Sequence, residues 1–189
     1  MGMTIRTVAY SPGSVADYTI MLMHGTKSIM RGAERQNYCL NPFRGKELRD
    51  MTGGVLRTGR IGQAVMERLK GFGCTVLAYG RNHKAGADYV PFCKLLQSSD
   101  IITLHVPLAE DTFHMIGREQ LEMMRKEALL INTARGALVD TEALVDALED
   151  RTIGGAALDA LKGEKIFRYN CMHKALKNPF YQPSKGCQM

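Results

Sequence analysis

The sequence has 189 residues, of which 45% are hydrophobic, and a net charge of +6, which is enough chain for one globular domain with its own core. It contains no run of about 20 apolar residues, and the N-terminal MGMTIRTVAY lacks the apolar segment of a secretory signal, so composition argues against a membrane-spanning or secreted protein. The five cysteines form no C-x-x-C pair, which favours reduced thiols in a cytoplasmic protein over a disulfide framework or a metal site.

The first predicted element is a helix over residues 14–31, in which apolar residues recur at helical spacing behind Ser14, a candidate N-cap. After the polar connector RGKELRDM, strands and helices alternate. Gly73 is expected to end the first of these helices, and Asp140 or Thr141 to cap the last. The strand at 75–79 is expected to be buried because it is apolar without strict alternation. The predicted strands are 53–56, 75–79, 101–105, 128–132 and 153–159, and the predicted helices are 61–72, 91–98, 118–124 and 141–149.

This alternation predicts an α/β fold with a doubly wound parallel sheet. Parallel neighbours cannot be joined by tight hairpins and need crossover connections, which the intervening helices supply. From Lys162 onward the periodicity is lost, so residues 162–189 are expected to form an irregular tail. With no further strand and helix predicted after residue 159, we expect the sheet to be incomplete at its C-terminal end and to keep an open edge.

The segment GGVLRTGRIGQAVMERL, residues 53–69, carries the first chemical signal. A strand runs into a glycine turn and then a helix, which is the context of the G-x-G-x-x-G turn that binds dinucleotides. Gly59 and Gly62 fill the second and third glycine positions, which let the backbone approach a pyrophosphate and let the helix pack closely on the strand. The first amides of the helix are suited to bind phosphate. The candidate cofactor-binding residues here are Thr58, Gly59, Arg60, Ile61 and Gly62.

Arg57 stands where such a turn usually has its first glycine. If the backbone there has a positive φ, a side chain costs about 1 kcal/mol or more. Either the guanidinium compensates by attracting the pyrophosphate, or the turn deforms and cofactor binding weakens. The sequence leaves both alternatives open, and it predicts that an Arg57→Gly substitution tightens cofactor binding if the turn is strained.

The end of the next strand, AYGRNHK, bears on the choice between NAD and NADP. NAD-preferring sites usually carry an acidic residue about 20 residues after the glycine turn, and Gly80 stands there instead. Arg81 follows, and it can pair with a 2′-phosphate. NADP(H) is therefore expected to be accepted, the alternative being a solvated basic loop. The net charge fits either a lysine-rich surface or an anionic nucleotide, and without a basic run interleaved with aromatic residues it does not indicate nucleic acid.

Five segments are distinctive when taken together: YSPGSVADYTIMLM (10–23), TGRIGQAVMERLKGFGCTVLAY (58–79), LHVPL (104–108), INTARGALVDTEALVDAL (131–148) and GGAALDALKGE (154–164). Together they resemble the D-2-hydroxyacid dehydrogenases, in particular the D-lactate dehydrogenases of the vancomycin-resistance type. The resemblance extends over roughly residues 5–177. It implies a Rossmann-like nicotinamide-dinucleotide-binding domain at residues 1–161 with an N-terminal hinge strand and helix, and a substrate domain that is largely absent. The implied reaction is hydride transfer between NAD(P)H and a small 2-keto acid such as pyruvate.

The resemblance also implies roles for individual residues. Arg135, in the N-T-x-R-G turn, matches the arginine that holds the substrate carboxylate, a task suited to a planar guanidinium. Asp159 matches an aspartate on the nicotinamide side. Glu164 matches the acid that pairs with the catalytic histidine, although Lys162 stands where many relatives have another acid.

Further residues match the cofactor side of the family's cleft. His105 matches a histidine near the cofactor, with a simple strand-end histidine as the alternative. The remaining candidates on this side are Val106, Pro107, Thr133 and Ala134.

One catalytic element of the family finds no match. None of the five histidines lies in the P-H-T-A type of motif that carries the family's proton donor, so little or no turnover is expected from this chain alone. A non-catalytic nucleotide-binding module and a decayed fragment remain as alternatives. Relatives form homodimers through the first helix, and that helix is expected to be about one turn shorter here near MLMHGTK, which would impair pairing.

Overall fold

The computed structural model describes residues 11–25 and 47–160. Within them lies one six-stranded sheet whose neighbouring strands are all parallel, in the order β3-β2-β1-β4-β5-β6. This is the doubly wound α/β fold that the alternation predicted. The strands are β1 (Thr52–Leu56), β2 (Thr75–Tyr79), β3 (Asp88–Tyr89), β4 (Ile101–Leu104), β5 (Leu129–Asn132) and β6 (Gly155–Leu158). The helices are α1 (Pro12–Gly25), α2 (Arg60–Gly71), α3 (Phe92–Ser98), α4 (Arg118–Met123) and α5 (Thr141–Glu149).

The predicted elements between residues 53 and 159 are confirmed with small shifts at their ends. Asp140 caps α5 by accepting hydrogen bonds from the amides of Glu142 and Ala143. Gly73, with φ +81°, follows α2 and ends it. Short 3-10 turns at Leu48–Asp50, Glu110–Thr112 and Gly136–Leu138 were not predicted, nor was the two-residue strand β3.

Two local predictions were wrong. Ser14 is not an N-cap, because α1 already begins at Pro12, whose fixed φ suits the first position of a helix. The strand β2 is not fully buried: Val76 and Ala78 face the core, whereas Tyr79 is 41% exposed. The reason is its place next to the sheet edge, where β3 pairs with only two of its residues.

The central strand β1 is packed closely from both faces. A Cβ on Gly53 would come within 2.8 Å of Leu69 in α2, and a Cβ on Gly54 would come within 2.6 Å of Leu95 in α3. Both distances are shorter than real carbon contacts, so these two glycines let a helix approach each face of the strand. The close fit fixes where α2 starts relative to the end of β1.

The sheet has a switch point between β1 and β4. From β1 the chain winds outward through β2 and β3, and it then crosses back to β4 on the other side of β1. Ligands of open α/β sheets bind at the carboxyl ends of the strands at such a point. The turns that follow β1, β4, β5 and β6 share this edge because all the strands are parallel, so Arg135 and Asp159 lie at the same edge as the glycine turn.

The helix α1 packs against α2 and reaches the carboxyl edge. Arg68 of α2 donates to the Asp17 carboxylate at 2.6 Å and to the carbonyl of Gly13 at 3.3 Å. The hydrogen bond from Arg68 lowers the pKa of Asp17. The predicted shortening of this helix near MLMHGTK falls partly on residues beyond Gly25, which lie outside the described residues, as does the tail from 162.

No helix within residues 11–25 and 47–160 combines the length and the apolar composition required to cross a bilayer. In the same ranges, no cluster of histidine, cysteine or acidic side chains could hold a metal ion. Cys74 and Cys93 are free thiols, and burial raises the pKa of Cys74.

Candidate active site

The turn after β1 has the shape of a dinucleotide turn. Arg57 lies in the left-handed region with φ +70°, and its amide donates to the carbonyl of Tyr79 at 2.7 Å. The helix α2 begins at Arg60 behind Gly59, and no side chain caps it. Because the first amides of a helix have no partner within the helix, they are available to an anion at this point.

Arg57 adopts the conformation that the missing glycine would favour. An L-residue in this region costs about 1–2 kcal/mol. The turn therefore has not deformed to suit the arginine; it keeps a glycine-like backbone with the strain located at Arg57. The side chain is exposed, so its charge lies in solvent beside the start of α2.

The two remaining glycines of the turn differ in the space that surrounds a Cβ atom at each position. A Cβ on Gly62 would lie 2.2 Å from the carbonyl oxygen of Arg57, a distance that no side chain tolerates. A Cβ on Gly59 would meet nothing within 4 Å. Gly62 is therefore required by the fold itself, whereas Gly59 leaves open space in front of the backbone, where a pyrophosphate would approach.

Thr58 is held inside the turn. Its side chain is only 5% exposed, and its hydroxyl donates to the carbonyl of Asn82 at 3.1 Å. The Gln63 side chain donates to the carbonyl of Thr58 at 3.2 Å and so braces the turn from α2. The Thr58 hydroxyl is thus engaged with the next loop, and only its backbone faces the anion site.

The loop after β2 carries the cationic candidate. Arg81 is highly exposed, and its guanidinium lies 3.4 Å from the carboxylate of Asp111, which belongs to the segment after β4. An exposed ion pair of this kind contributes little free energy, so a phosphate can compete for the guanidinium. A Cβ on Gly80 would meet only ordinary contacts, the nearest at 3.5 Å. An acidic side chain would therefore fit there, and its absence is not a steric requirement.

His105 follows β4 beside the glycine turn. Its amide donates to the carbonyl of Leu56 at 3.1 Å, and its Nε2 lies 3.1 Å from the hydroxyl of the buried Thr103. Burial lowers the pKa of His105 to about 4. The imidazole is therefore neutral near pH 7 and poorly suited to donate a proton. Val106 next to it is buried, and Pro107 is exposed.

The turn after β5 is shaped by one buried amide. The Asn132 side chain accepts from the amide of Ala134 at 3.0 Å and donates to the carbonyl of Arg135 at 2.9 Å. The exposed Arg135 then donates from its guanidinium to the carbonyl of Ala134. The hydroxyl of Thr133 lies 3.1 Å from that of Thr19, so α1 contacts this turn directly.

The end of β6 is linked to α1 as well. Asp159 is exposed, and its amide donates to the carbonyl of Asn132. Tyr18 of α1 is hydrogen-bonded to the Asp159 carboxylate. Burial, together with this charge and hydrogen bond, raises the pKa of Tyr18. Asp159 thus lies at the edge that the resemblance assigns to the nicotinamide.

The structure brings together at this edge all the predicted site residues that it describes. Glu164 lies outside the described residues. Sequence reasoning missed Tyr18 and Asn132. Only Asn132 gave a signal, since a short polar residue at the end of an apolar strand often bonds the following turn.

A carboxyl-edge crevice with an uncapped helix start, an open glycine and a cationic loop defines an α/β dinucleotide-binding domain. The residues fit NAD: Gly59 leaves open space in front of the uncapped start of α2, and Asp159 follows a strand that ends at the same edge of the sheet. Residues 17–183 match the family model of the D-isomer specific 2-hydroxyacid dehydrogenase, NAD-binding domain. The chain belongs to this family.

Individual relatives agree with this assignment. The D-specific alpha-keto acid dehydrogenase of Enterococcus faecalis is 57% identical over 185 residues, which cover 95% of this chain and 57% of that protein. A glyoxylate reductase of Thermococcus litoralis is 46% identical over 150 residues, covering 76% of this chain and 45% of that protein.

Solved structures show the same fold. The D-isomer specific 2-hydroxyacid dehydrogenase of Lactobacillus delbrueckii ssp. bulgaricus in its NAD complex superposes with a TM-score of 0.83 at 33% identity, covering 91% of this chain and 58% of that chain. The D-lactate dehydrogenase of Aquifex aeolicus with NAD and lactic acid gives 0.82 at 34% identity, covering 89% and 56%. The present chain thus spans between about half and three-fifths of the length of these relatives.

Proposed function

We propose that this chain is the cofactor-binding part of a D-lactate dehydrogenase-like reductase, which transfers hydride between NAD(P)H and a small 2-keto acid such as pyruvate. The observation that carries the proposal is the common edge: the open glycine turn, Arg135 and Asp159 all follow strands that end side by side. The Aquifex relative, solved with NAD and lactic acid, supports the substrate class.

In this proposal the start of α2 binds the pyrophosphate, and Arg135 binds the substrate carboxylate. When bound, the nicotinamide supplies the hydride. A proton must also reach the carbonyl oxygen, and His105 is neutral at working pH because its pKa is about 4. We therefore propose that the chain binds cofactor but reduces pyruvate only near the background rate, and that Glu164, by its match to the family, is suited to pair with a catalytic histidine.

We further propose that NADP(H) is accepted at least as well as NAD(H). Gly80 places no carboxylate beside the ribose, and Arg81 stands next to it with a weak, exposed partner. The free thiols of Cys74 and Cys93 fit a reducing compartment such as the cytoplasm. The exposed Met21 on α1 fits the family's pairing through this helix.

Titration of the 189-residue chain with NADPH and NADH, followed by cofactor fluorescence, tests the function. We expect both cofactors to bind and pyruvate turnover to stay near background. In Gly80→Asp, the new carboxylate should repel a 2′-phosphate and accept the ribose hydroxyls, shifting the ratio of affinities toward NADH by about tenfold or more.

A matched control is Gly71→Asp, which adds the same charge at the end of α2 remote from the turn, where a Cβ meets nothing within 4 Å. Its affinity ratio should stay unchanged. If the folded chain binds neither cofactor, the proposed function is wrong and the decayed-fragment alternative holds. Turnover well above background would instead overturn the inactivity of the chain alone.

A further inference from the structure

Two hydroxyl groups connect the glycine turn to the basic loop Arg81–Lys84 that follows β2. The hydroxyls of Thr58 and Tyr89 lie 2.6 Å apart. Thr58 comes from the turn after β1, and Tyr89 comes from the edge strand β3. Both hydroxyls also contact the backbone of the basic loop, Thr58 at Asn82 and Tyr89 at Lys84.

The donors and acceptors at this point are fully matched. The amide of Lys84 donates to the Tyr89 hydroxyl at 2.8 Å, and the Thr58 hydroxyl donates to the carbonyl of Asn82 at 3.1 Å. If Tyr89 donates to Thr58, each hydroxyl donates one hydrogen bond and accepts one. The Tyr89–Asn82 distance of 3.3 Å is longer, which favours this order. The result is a hydrogen-bonded chain that begins and ends on the basic loop.

Ring stacking adds to the same contact. The imidazole of His83 lies on the Tyr89 ring with a centroid distance of 4.0 Å and an interplanar angle of 15°. The loop is thus fixed through Asn82, His83 and Lys84. Arg81, at the start of the loop, keeps an exposed guanidinium, so the fixed backbone presents its charge next to Gly80.

We propose that the Thr58–Tyr89 hydroxyl pair positions the basic loop against the glycine turn and thereby sets recognition of the cofactor's 2′-phosphate. This inference rests on the proposed binding of NADP(H). Neither residue needs to touch the cofactor: the pair fixes the distance between the pyrophosphate site and Arg81. A loosened loop would cost NADPH affinity, because a phosphate contact needs Arg81 in place, while NADH, which lacks that phosphate, would be affected little.

The first test measures the loop itself, with amide hydrogen exchange of the intact chain followed by NMR. Tyr89→Phe keeps the ring stack on His83 and removes only the hydroxyl. We expect the Lys84 amide to exchange about fivefold faster, as loss of one net hydrogen bond implies. Thr58→Val should act in the same direction, Thr58→Ser should restore protection, and Thr152→Val, remote in the loop before β6, should change nothing.

Cooperation between the two hydroxyls is tested by the double variant. Because both single variants break the same chain of hydrogen bonds, their effects on Lys84 exchange should be less than additive. Additive effects would mean that the hydroxyls act separately, and they would overturn the pair. Unchanged exchange in Tyr89→Phe would overturn it as well, whatever the cofactor titrations give.

The second test is selectivity. Tyr89→Phe should weaken NADPH binding about fivefold and NADH binding less than twofold. An equal loss for both cofactors would overturn the positioning role and leave a merely structural one. If the parent chain binds neither cofactor, the proposed function is wrong. The exchange experiment then still tests separately whether the hydroxyl pair holds the basic loop in place.

Discussion

The turns after β1 and β5 share one edge of the sheet but keep their shapes by different means. The turn after β1 is shaped by backbone geometry: Gly62 gives it room, and Arg57 is held at φ +70°. The turn after β5 is shaped by a side chain, the buried amide of Asn132, which bonds both Ala134 and Arg135. The first turn exposes backbone at Gly59, and the second exposes the side chain of Arg135.

This difference is consistent with the ligand that we propose for each turn. A pyrophosphate is bound by several amides at once, so side chains near it are obstacles and glycine is favoured. A carboxylate is bound by one guanidinium, which needs a rigid base rather than an open one. The second turn also contacts α1, because the hydroxyl of Thr19 lies 3.1 Å from that of Thr133. Both turns are therefore linked to distant parts of the chain, the first through the contact of Thr58 with Tyr89.

The largest loss of stability is expected from Gly62→Ala. The new methyl would lie 2.2 Å from the Arg57 carbonyl, and the turn and α2 must move apart. We expect a loss of about 3 kcal/mol in the free energy of unfolding, measured by urea denaturation, together with loss of cofactor binding.

Two other glycines of the same segment serve as controls. Gly71→Ala, at the end of α2 where a Cβ meets nothing, should be neutral or stabilise by about 0.5–1 kcal/mol. Gly59→Ala should leave stability unchanged while NADH affinity falls, since its methyl would obstruct the pyrophosphate. A Gly62→Ala variant as stable as the parent would contradict the assignment of the turn's shape to that glycine.

A smaller effect is expected from Asn132→Ala in the second turn. Loss of two hydrogen bonds from a fully buried amide should cost about 2 kcal/mol of unfolding free energy, and the Ala134 amide should exchange faster. Gln120→Ala removes one partly exposed bond to the Gly117 amide at the start of α4 and should cost about 0.5 kcal/mol. If the Ala134 amide keeps its protection in Asn132→Ala, the second turn does not depend on that side chain.

The sequence predicted the regular parts of this fold because hydrophobic spacing is a local signal. Residues close together in the sequence were enough to predict the order of strands and helices from residue 53 to 159, the glycine turn and the cap at Asp140. The edge strand β3 was not predicted because two residues are too few to show a hydrophobic pattern. The contacts of Tyr18 with Asp159 and of Tyr89 with Thr58 were not predicted. They join residues 141 and 31 positions apart in the sequence, and no spacing rule connects such pairs.

The smallest effect concerns Arg57. Because the turn already has φ +70°, Arg57→Gly should stabilise the chain by about 0.5–1 kcal/mol in denaturation. Arg151→Gly, at φ +56° in the loop before β6, should stabilise by a similar amount and serves as the matched control.

From the sequence we expected strain relief to tighten cofactor binding, but a turn that has φ +70° without cofactor is relieved in the free and the cofactor-bound chain alike. The change in affinity therefore reports on the guanidinium and not on the strain. If the guanidinium attracts the pyrophosphate, NADH binding weakens in Arg57→Gly alone and loses part of its salt dependence. Tighter binding would show instead that the arginine obstructs the cofactor, and equal stability of Arg57→Gly and parent would show that the turn carries no strain.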